Sequence, residues 1–142
     1  MKDLIKAYLK EISAITAQGD AREESYYPAL KQLFEGYPLE KGRQTQVTVL
    51  PKKTEAGSPD FRVWDGKDFI VGYIEAKTPG TNLDQVETSP QLQRYLSTFP
   101  NLILTDFYEF RLYRDGQLRQ KTTIARQFTA KVLKATPQVE QP

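Results

Sequence analysis

Phe61-Arg-Val-Trp64 and Phe69-Ile-Val-Gly-Tyr-Ile74 are two apolar runs joined by the polar segment Asp65-Gly-Lys-Asp68. Asp and Gly in so short a segment are typical of a turn, so the sequence predicts an antiparallel hairpin. The second run has almost no polar interruption, which is typical of a strand buried on both faces. We therefore expect this strand to lie at the centre of a sheet.

Helical periodicity precedes the hairpin. Apolar residues recur every three or four positions over residues 2–18, which predicts a first helix that ends before a glycine. A second helix follows, and two starts are open. One start is a capping pair of Asp20 and Glu23, which would put Pro28 inside the helix. The other is Ser25, which would put that proline in the first turn, where its missing N–H costs little.

Further strands and a helix follow the same logic. Alternation around Val47 and Val49 predicts a strand. A serine followed by proline is typical of a helix start, so a helix is expected from Pro90 to about Ser97. Two more strands are predicted, over residues 102–105 and 108–113. Together these elements predict an α/β fold with a central sheet and a helix layer.

The length of 142 residues suits one domain. We expect residues 1–142 to form it, with a core over about 22–120, an N-terminal helix over 1–18 and a polar tail over 136–142. No apolar run approaches the roughly 18 residues that a membrane helix needs, and the N-terminus lacks the apolar segment of a signal peptide. The expected location is therefore the cytoplasm, with no membrane partner.

The chain contains no cysteine and no histidine. The lack of thiols excludes disulfides, cysteine-ligated zinc and thiol nucleophiles. The lack of imidazoles excludes a Ser-His-Asp triad and histidine-ligated metals. Any chemistry must therefore rely on carboxylates, lysine, tyrosine and a hard cation, for which oxygen ligands favour Mg²⁺ or Mn²⁺.

The net charge is only +2, but basic residues concentrate in the C-terminal third. Over residues 111–134 they outnumber acidic residues by seven to one. This segment either meets a polyanion or is an ordinary solvated surface, and charge alone does not separate the two. The seven basic residues are Arg111, Arg114, Arg119, Lys121, Arg126, Lys131 and Lys134.

Charged residues stand where the hairpin begins and where it ends. Asp60 precedes the first strand, and Glu75 and Lys77 close the second. Residues two apart share one face of a strand, so Glu75 and Lys77 project together. Ala76 points to the opposite face, into a helix layer, where a small residue fits.

The length of the turn decides whether Asp60 reaches Glu75. A two-residue turn at Asp65-Gly66 leaves them about 13 Å apart along the strand, too far to share an ion. A four-residue loop puts Asp60 opposite Tyr73, diagonal to Glu75. A turn centred on Lys67-Asp68 opposes the two carboxylates directly. If Asp60 and Glu75 share a cation, the loop between the two strands is therefore expected to be longer than two residues.

Two carboxylates at the end of a buried strand suit phosphodiester hydrolysis. They can hold Mg²⁺, or Mn²⁺ in its place, which lowers the pKa of a bound water and neutralises charge on the phosphorus oxygens. A lysine such as Lys77 can orient the attacking water and stabilise the transition state. An ordinary exposed pair at a strand end fits the same spacing, although buried charges are costly unless they are paired or bound to a cation.

Two motifs carry a family resemblance. Pro59-Asp60 followed by Glu75-Ala76-Lys77 resembles the PD-(D/E)XK phosphodiesterase motif, and Gln91-Leu-Gln-Arg-Tyr95 resembles the Q-x-x-x-Y motif of its RecB-like and restriction-enzyme branches. The resemblance implies a restriction-endonuclease-like core, in which helices flank a mixed central sheet. The antiparallel hairpin of this sheet would carry the active site of a metal-dependent endodeoxyribonuclease. On a helix, Gln91 and Tyr95 share a face from which they can point toward a DNA backbone or the active-site lysine. The catalytic residues implied are Asp60, Glu75, Lys77, Gln91 and Tyr95.

The resemblance also implies further metal ligands and DNA contacts. In the family a helix glutamate often completes the metal site beside residues such as Asp60 and Glu75. Glu24 fits that position and Glu23 competes with it, while a surface pair favoured by the helix dipole is the plainer interpretation. The Ala76 carbonyl is implied as another ligand. Nucleic-acid contacts are expected from Gln91, Arg94, Tyr95, Arg111, Arg114, Arg119 and Lys121.

The stretch over residues 99–113 resembles the segment that follows the nuclease motif in type ISP and type IIG restriction-modification polypeptides. Those polypeptides carry methyltransferase and target-recognition domains, for which 142 residues leave no room. The resemblance implies such domains as partners, in the same or another polypeptide. Because a double-strand break normally takes two active sites, we also expect transient dimerisation on DNA. The alternatives are a nuclease-like domain that only binds DNA or docks a partner, and an interaction domain in which the motif is chance.

Overall fold

A computed structural model describes residues 2–128 and 132–135 of the chain. Four α-helices and a short 3₁₀ turn lie among these residues: α1 (Lys2–Gln18), the 3₁₀ turn (Glu23–Tyr26), α2 (Tyr27–Glu40), α3 (Leu83–Glu87) and α4 (Pro90–Thr98). The strands are β1 (Gln46–Val49), β2 (Phe61–Trp64), β3 (Ile70–Ala76), β4 (Asn101–Thr105), β5 (Glu109–Arg114), β6 (Gln117–Thr123), β7 (Ala125–Phe128) and β8 (Val132–Ala135).

The strands β1 to β6 form one mixed sheet in their order along the chain. Strands β3 and β4 are parallel, and α3 and α4 lie in the connection between them, as a parallel pair requires. The other neighbouring pairs of this sheet are antiparallel, including the β2–β3 hairpin. Strands β7 and β8 pair separately. The predicted mixed sheet with an antiparallel hairpin is confirmed.

Apolar side chains hold helices against both faces of the sheet. Helices α1 and α2 cover one face, where the buried cluster includes Ile12, Leu30 and Ile74. Helices α3 and α4 cover the other face, where the buried cluster includes Leu92 and Leu104. Burial of each such side chain contributes roughly 1.5–3 kcal/mol. The end of β3 is therefore held between two packed layers.

The start of α2 decides between the two predicted alternatives. Pro28 lies in the first turn of the helix, as the second alternative requires. Ser25 is not the N-cap, however, because a 3₁₀ turn precedes the helix. The Ser25 hydroxyl instead accepts a hydrogen bond of 3.0 Å from the backbone N–H of Arg22. This turn fixes the directions in which Glu23 and Glu24 point.

The start of the apolar run over residues 69–74 corrects the prediction of burial on both faces. Phe69, Ile70 and Val71 are 72%, 44% and 46% exposed. The parallel neighbour β4 pairs with β3 only from Tyr73 onward, so β4 does not flank these three residues. Only the segment from Tyr73 to Ala76 is a central strand.

Some elements are not predicted by the sequence patterns. Helix α3 is one, and the Asn82 side chain caps it by accepting hydrogen bonds from the N–H groups of Asp84 (3.0 Å) and Gln85 (3.4 Å). Strands β6, β7 and β8 are others. The expected tail over residues 136–142 lies outside the described residues. Within the described part of the chain, no helix has both the length and the apolar character needed to cross a membrane.

Candidate functional site

The β2–β3 hairpin brings Asp60 and Glu75 face to face. Phe61 pairs with Ile74, so the next residue outward on each strand is Asp60 on one side and Glu75 on the other. The Cα atoms of directly opposed residues in an antiparallel pair are about 4.5–5.5 Å apart. Of the three registers open to the sequence, the structure has the directly opposed one.

A long turn and a bulge set this register. The Asp65 carboxylate accepts hydrogen bonds from the N–H groups of Lys67 (2.8 Å) and Phe69 (3.2 Å), which closes a turn longer than a two-residue Asp-Gly turn. The pairing then shifts between Val63 and Trp64. The extra residue in the bulge moves the strands by the one step that opposes the two carboxylates.

Glu75 is a buried carboxylate with one unused oxygen. Its residue is 3% exposed, and its Oε2 lies 3.2 Å from Nζ of Lys77. Its Oε1 has no hydrogen-bond partner among the described residues. Burial, and then the negative charge of Asp60, raise the pKa of Glu75 to about 7. A buried oxygen without a partner costs free energy unless a ligand occupies it.

Asp60 is anchored by the opposite strand. Its Oδ2 accepts a hydrogen bond of 2.8 Å from the backbone N–H of Ala76. Burial raises the pKa of Asp60 in spite of this bond. Ala76 is itself fully buried in the layer of α1 and α2, as strand alternation predicts. Asp60 is therefore fixed to a rigid backbone segment beside Glu75.

Lys77 bridges β3 and α4. Its Nζ lies 3.5 Å from Oε1 of Gln91, in addition to its contact with Glu75. Helix α4 begins as predicted, with the Ser89 side chain accepting a hydrogen bond of 3.2 Å from the N–H of Leu92. The sequence predicts that Gln91 points toward a DNA backbone or the active-site lysine, and the structure shows the contact with Lys77. We call Asp60, Glu75 and Lys77 the carboxylate site.

Tyr95 lies beneath the carboxylate site and not at the surface, which corrects its expected contact with DNA. Its side chain is fully buried and packs against Gly57, where an added Cβ would meet the ring at 3.3 Å. Its hydroxyl lies close to the Gln91 side chain but not in hydrogen-bonding geometry. Burial, and then the charges of Glu75 and Asp60, raise the pKa of Tyr95 to about 12. The hydroxyl therefore keeps its proton.

The 3₁₀ turn directs Glu23 to the site in place of the expected Glu24. Glu24 is exposed, whereas Glu23 is half-buried. The Tyr27 hydroxyl donates a hydrogen bond of 3.0 Å to Oε1 of Glu23 and also faces Asp60. Burial is the largest cause that raises the pKa of Glu23, and the charge of Asp60 raises it further.

Tyr27 is a site residue that the sequence patterns did not predict. Burial, followed by the charge of Asp60, raises the pKa of its hydroxyl well above the usual range. It lies four positions after Glu23, a spacing that brings two side chains together on a helical segment. This spacing is the sequence signal that could identify Tyr27 as a site residue. A tyrosine at a buried helix position, however, more often belongs to the hydrophobic core.

The oxygens at the end of β3 fit a hard divalent cation. Asp60 and Glu75 oppose each other, and one buried Glu75 oxygen has no partner. Within residues 2–128 and 132–135, no group of three or more acidic side chains is close enough to hold a metal ion by itself. Mg²⁺ is commonly bound by one or two carboxylates together with water and substrate phosphates. Two opposed carboxylates are therefore a sufficient protein contribution.

Arg111 does not face solvent, so the prediction that it contacts nucleic acid is wrong. It is 4% exposed, and its guanidinium lies 2.8 Å from Asp84, 3.3 Å from Glu87 and 2.6 Å from Glu109. Tyr113 donates a further hydrogen bond to Glu87. We call these five residues the Arg111 cluster. Its charges are satisfied within the protein, and it ties α3 to β5.

The other expected basic contacts are exposed. Arg94 is near the site and donates a hydrogen bond of 3.4 Å to the Ala56 carbonyl. Arg114 bonds Asn101 (3.2 Å) near the end of the sheet where β3 begins, away from the carboxylates. Arg119 and Lys121 lie on the edge strand β6. Outside the described side chains are Arg126, Lys131 and Lys134.

The fold is similar to that of a chain in the cryoEM structure of a DrdV–DNA complex. The TM-score is 0.68 at 26% sequence identity, and the match covers 87% of this chain but 12% of that chain. No protein-family model matches the sequence, and no curated protein matches it. With the mixed sheet between helices, this similarity confirms the expected α/β, restriction-endonuclease-like fold.

Proposed function

We propose that this chain is a Mg²⁺-dependent DNA endonuclease of the PD-(D/E)XK type. The buried Glu75 carboxylate carries the proposal, because it lies opposite Asp60 and beside Lys77 with one oxygen unpartnered. Such a group destabilises a fold unless it has a ligand, and strongly perturbed carboxylates concentrate at functional sites. Mn²⁺ would substitute for Mg²⁺, since both prefer oxygen ligands.

The side chains of the site divide the work. Asp60, Glu75 and the Ala76 carbonyl would hold the metal, which when bound supplies a water of lowered pKa and neutralises phosphate charge. Lys77 would orient the attacking water and place positive charge beside the phosphorus oxygens. Gln91 holds the amino group of Lys77 through its amide oxygen.

Two tyrosines act as positioning residues in this scheme. Burial raises the pKa of both Tyr27 and Tyr95, so each hydroxyl remains a donor. Tyr27 links Glu23 to Asp60 and so keeps a third negative charge near the metal. Tyr95 packs against Gly57, in the loop that leads to Asp60.

The DrdV similarity supports DNA as the substrate and a larger protein as the context. DrdV is solved in a complex with DNA, and this chain spans only 12% of the DrdV chain. We infer a cleavage module of a restriction-modification system of the type ISP or type IIG kind. Methyltransferase and target-recognition domains, in the same or another polypeptide, would supply sequence recognition. A double-strand break would take two such sites, paired transiently on DNA.

Nicking of supercoiled plasmid DNA tests the proposal. Wild-type protein with Mg²⁺ should nick the plasmid. Asp60→Asn and Lys77→Met should slow nicking by about 100-fold or more, the usual effect of removing one electrostatic group from an active site. Lys67→Met, which changes an exposed lysine at the hairpin turn, retains the wild-type rate. Thermal unfolding of each variant shows that it is folded.

The outcomes separate the possible functions. Wild-type protein that binds DNA but does not cut it with Mg²⁺ or Mn²⁺, alone or assembled with its partner domains, would be a nuclease-like binding domain. Protein that neither binds nor cuts DNA would be an interaction domain of another kind. Undiminished nicking by Lys77→Met would reject the assigned chemistry.

Glu23→Gln is expected to raise the Mg²⁺ requirement more than Glu24→Gln does.

A further inference from the structure

Arg62 lies one step along the strand from the carboxylate site. It follows Asp60 by two positions and pairs with Tyr73, which precedes Glu75 by two. Residues two apart share a face of a strand and are about 6–7 Å apart. Arg62 therefore projects on the same side of the sheet as the two carboxylates, next to them along β2.

Aromatic rings restrict the guanidinium of Arg62. Its central carbon lies 5.9 Å from the ring centroid of Trp64 and 5.5 Å from that of Tyr73. Both rings are themselves held. Tyr73 stacks on Phe99 with 4.1 Å between centroids, and the Trp64 indole donates a hydrogen bond of 3.2 Å to Thr48. The side chain is thus ordered before any ligand binds, which reduces the entropy cost of binding.

The donors of this guanidinium are little used within the protein. One terminal nitrogen donates a long, exposed hydrogen bond of 3.4 Å to the Lys52 carbonyl. Nε is buried and has no partner among the described residues, so the terminal nitrogens are the donors that would meet a ligand. No carboxylate in the described part of the chain forms a salt bridge with Arg62. Thr48, which pairs with Arg62 on β1, is exposed, so a ligand can approach this face. A planar cation with unused donors is suited to bidentate phosphate binding.

We propose that Arg62 binds the phosphate next to the one held at Asp60 and Glu75, on the same DNA strand. This inference rests on the proposed function. The step along β2 from Asp60 to Arg62 is comparable to the distance between consecutive phosphates of an extended strand. Arg62 therefore sets which backbone bond lies over the carboxylates. It is a substrate-binding residue and takes no part in proton transfer.

Salt-dependent binding of a labelled duplex, measured by fluorescence anisotropy with Ca²⁺ in place of Mg²⁺, tests the contact. Arg62→Gln is expected to weaken binding by about tenfold and to reduce the slope of log affinity against log salt by about one, as for one lost phosphate contact. Arg62→Lys keeps the charge but not the fork, so we expect an intermediate affinity. Arg43→Gln is the matched control, because Arg43 is exposed before β1 at the other end of the hairpin.

Neutral methylphosphonate linkages locate the contact. In a pool of strands that each carry one such linkage, wild-type cleavage with Mg²⁺ should be suppressed when the neutral linkage adjoins the cut bond. For Arg62→Gln we expect the suppression at one adjoining linkage to disappear, because both changes remove the same interaction.

Failure of this inference is distinct from failure of the proposed function. Wild-type protein that binds and cuts DNA, with Arg62→Gln matching it in affinity, salt slope and interference pattern, rejects the role of Arg62 alone. Wild-type protein that neither binds nor cuts DNA rejects the function as well. If Arg62→Gln does not fold, Arg62→Lys decides, and an affinity equal to wild type then rejects the inference.

Discussion

The carboxylate site and the Arg111 cluster lie in one row of the sheet, yet their charges are balanced differently. The row runs through Glu75, Leu104 and Arg111, which pair in turn across β3, β4 and β5. In the Arg111 cluster all three guanidinium nitrogens meet a carboxylate within 3.3 Å, and Arg111 lowers the pKa of Asp84. In the carboxylate site one lysine faces two carboxylates whose pKa values are raised by burial.

This difference separates a structural role from a chemical one. A buried cation with a full set of acceptors fixes one packing arrangement and leaves nothing for a ligand. In the carboxylate site a single lysine faces two carboxylates, and Oε1 of Glu75 has no partner among the described residues. The site therefore has an excess of negative charge, which a divalent cation would neutralise. We infer that the Arg111 cluster stabilises the fold and that the carboxylate site has a chemical role.

Arg111→Met should show the largest effect on stability. Removing one partner of a buried ion pair typically costs 3–5 kcal/mol, and here the carboxylates are partly exposed, so we expect a loss of about 3 kcal/mol. Urea unfolding measures it. Arg43→Met, at an exposed position, should change stability by less than about 0.5 kcal/mol. A loss of the same small size for Arg111→Met would mean that the cluster is not structural.

The carboxylate site should instead make the stability of the wild-type protein depend on pH, with a loss of stability as pH rises. In the metal-free protein the pKa of Glu75 is about 7, above its usual value of 4.5. Between these values the folded state binds more protons than the unfolded state, so the free energy of unfolding falls as pH rises through that window. At about 1.4 kcal/mol per pKa unit, we expect a fall of about 3 kcal/mol from this group. Asp60 and Glu23 add to it, since burial raises their pKa values too.

Glu75→Gln isolates the contribution of this carboxylate to the pH dependence of stability. The variant lacks the titrating group, so in EDTA it should lose less stability than wild type between pH 5 and pH 8 and should be the more stable protein at pH 8. Urea unfolding at the two pH values measures both quantities. A fall as steep as that of wild type would show that burial does not raise the pKa of Glu75 as the account requires.

The hairpin and its three charged residues were predictable because they depend on local pattern. The apolar runs of β2 and β3 and the two-residue spacing of Glu75 and Lys77 determine which side chains share a face. The Ser89-Pro90 start places Gln91 in the first turn of α4, where it reaches Lys77. The sequence does not determine the exact register, because the register depends on the bulge between Val63 and Trp64.

Other features depend on contacts between distant segments and carry little sequence signal. The choice of Glu23 over Glu24 follows from a 3₁₀ turn and from Tyr27, whose burial depends on packing against the sheet. Arg111 has the same sequence appearance as a surface arginine, and only the position of α3 brings three carboxylates to it. The exposure of Phe69 follows from where β4 begins.

Titration with Mn²⁺, followed by paramagnetic broadening in the NMR spectrum, tests most directly whether Asp60 and Glu75 share a cation. At pH 8 the backbone signals of Phe61 and Ala76, which flank the two carboxylates, should broaden first in wild-type protein and remain sharp in Glu75→Gln. Broadening that begins around the Arg111 cluster, or that is unchanged in Glu75→Gln, would contradict the account.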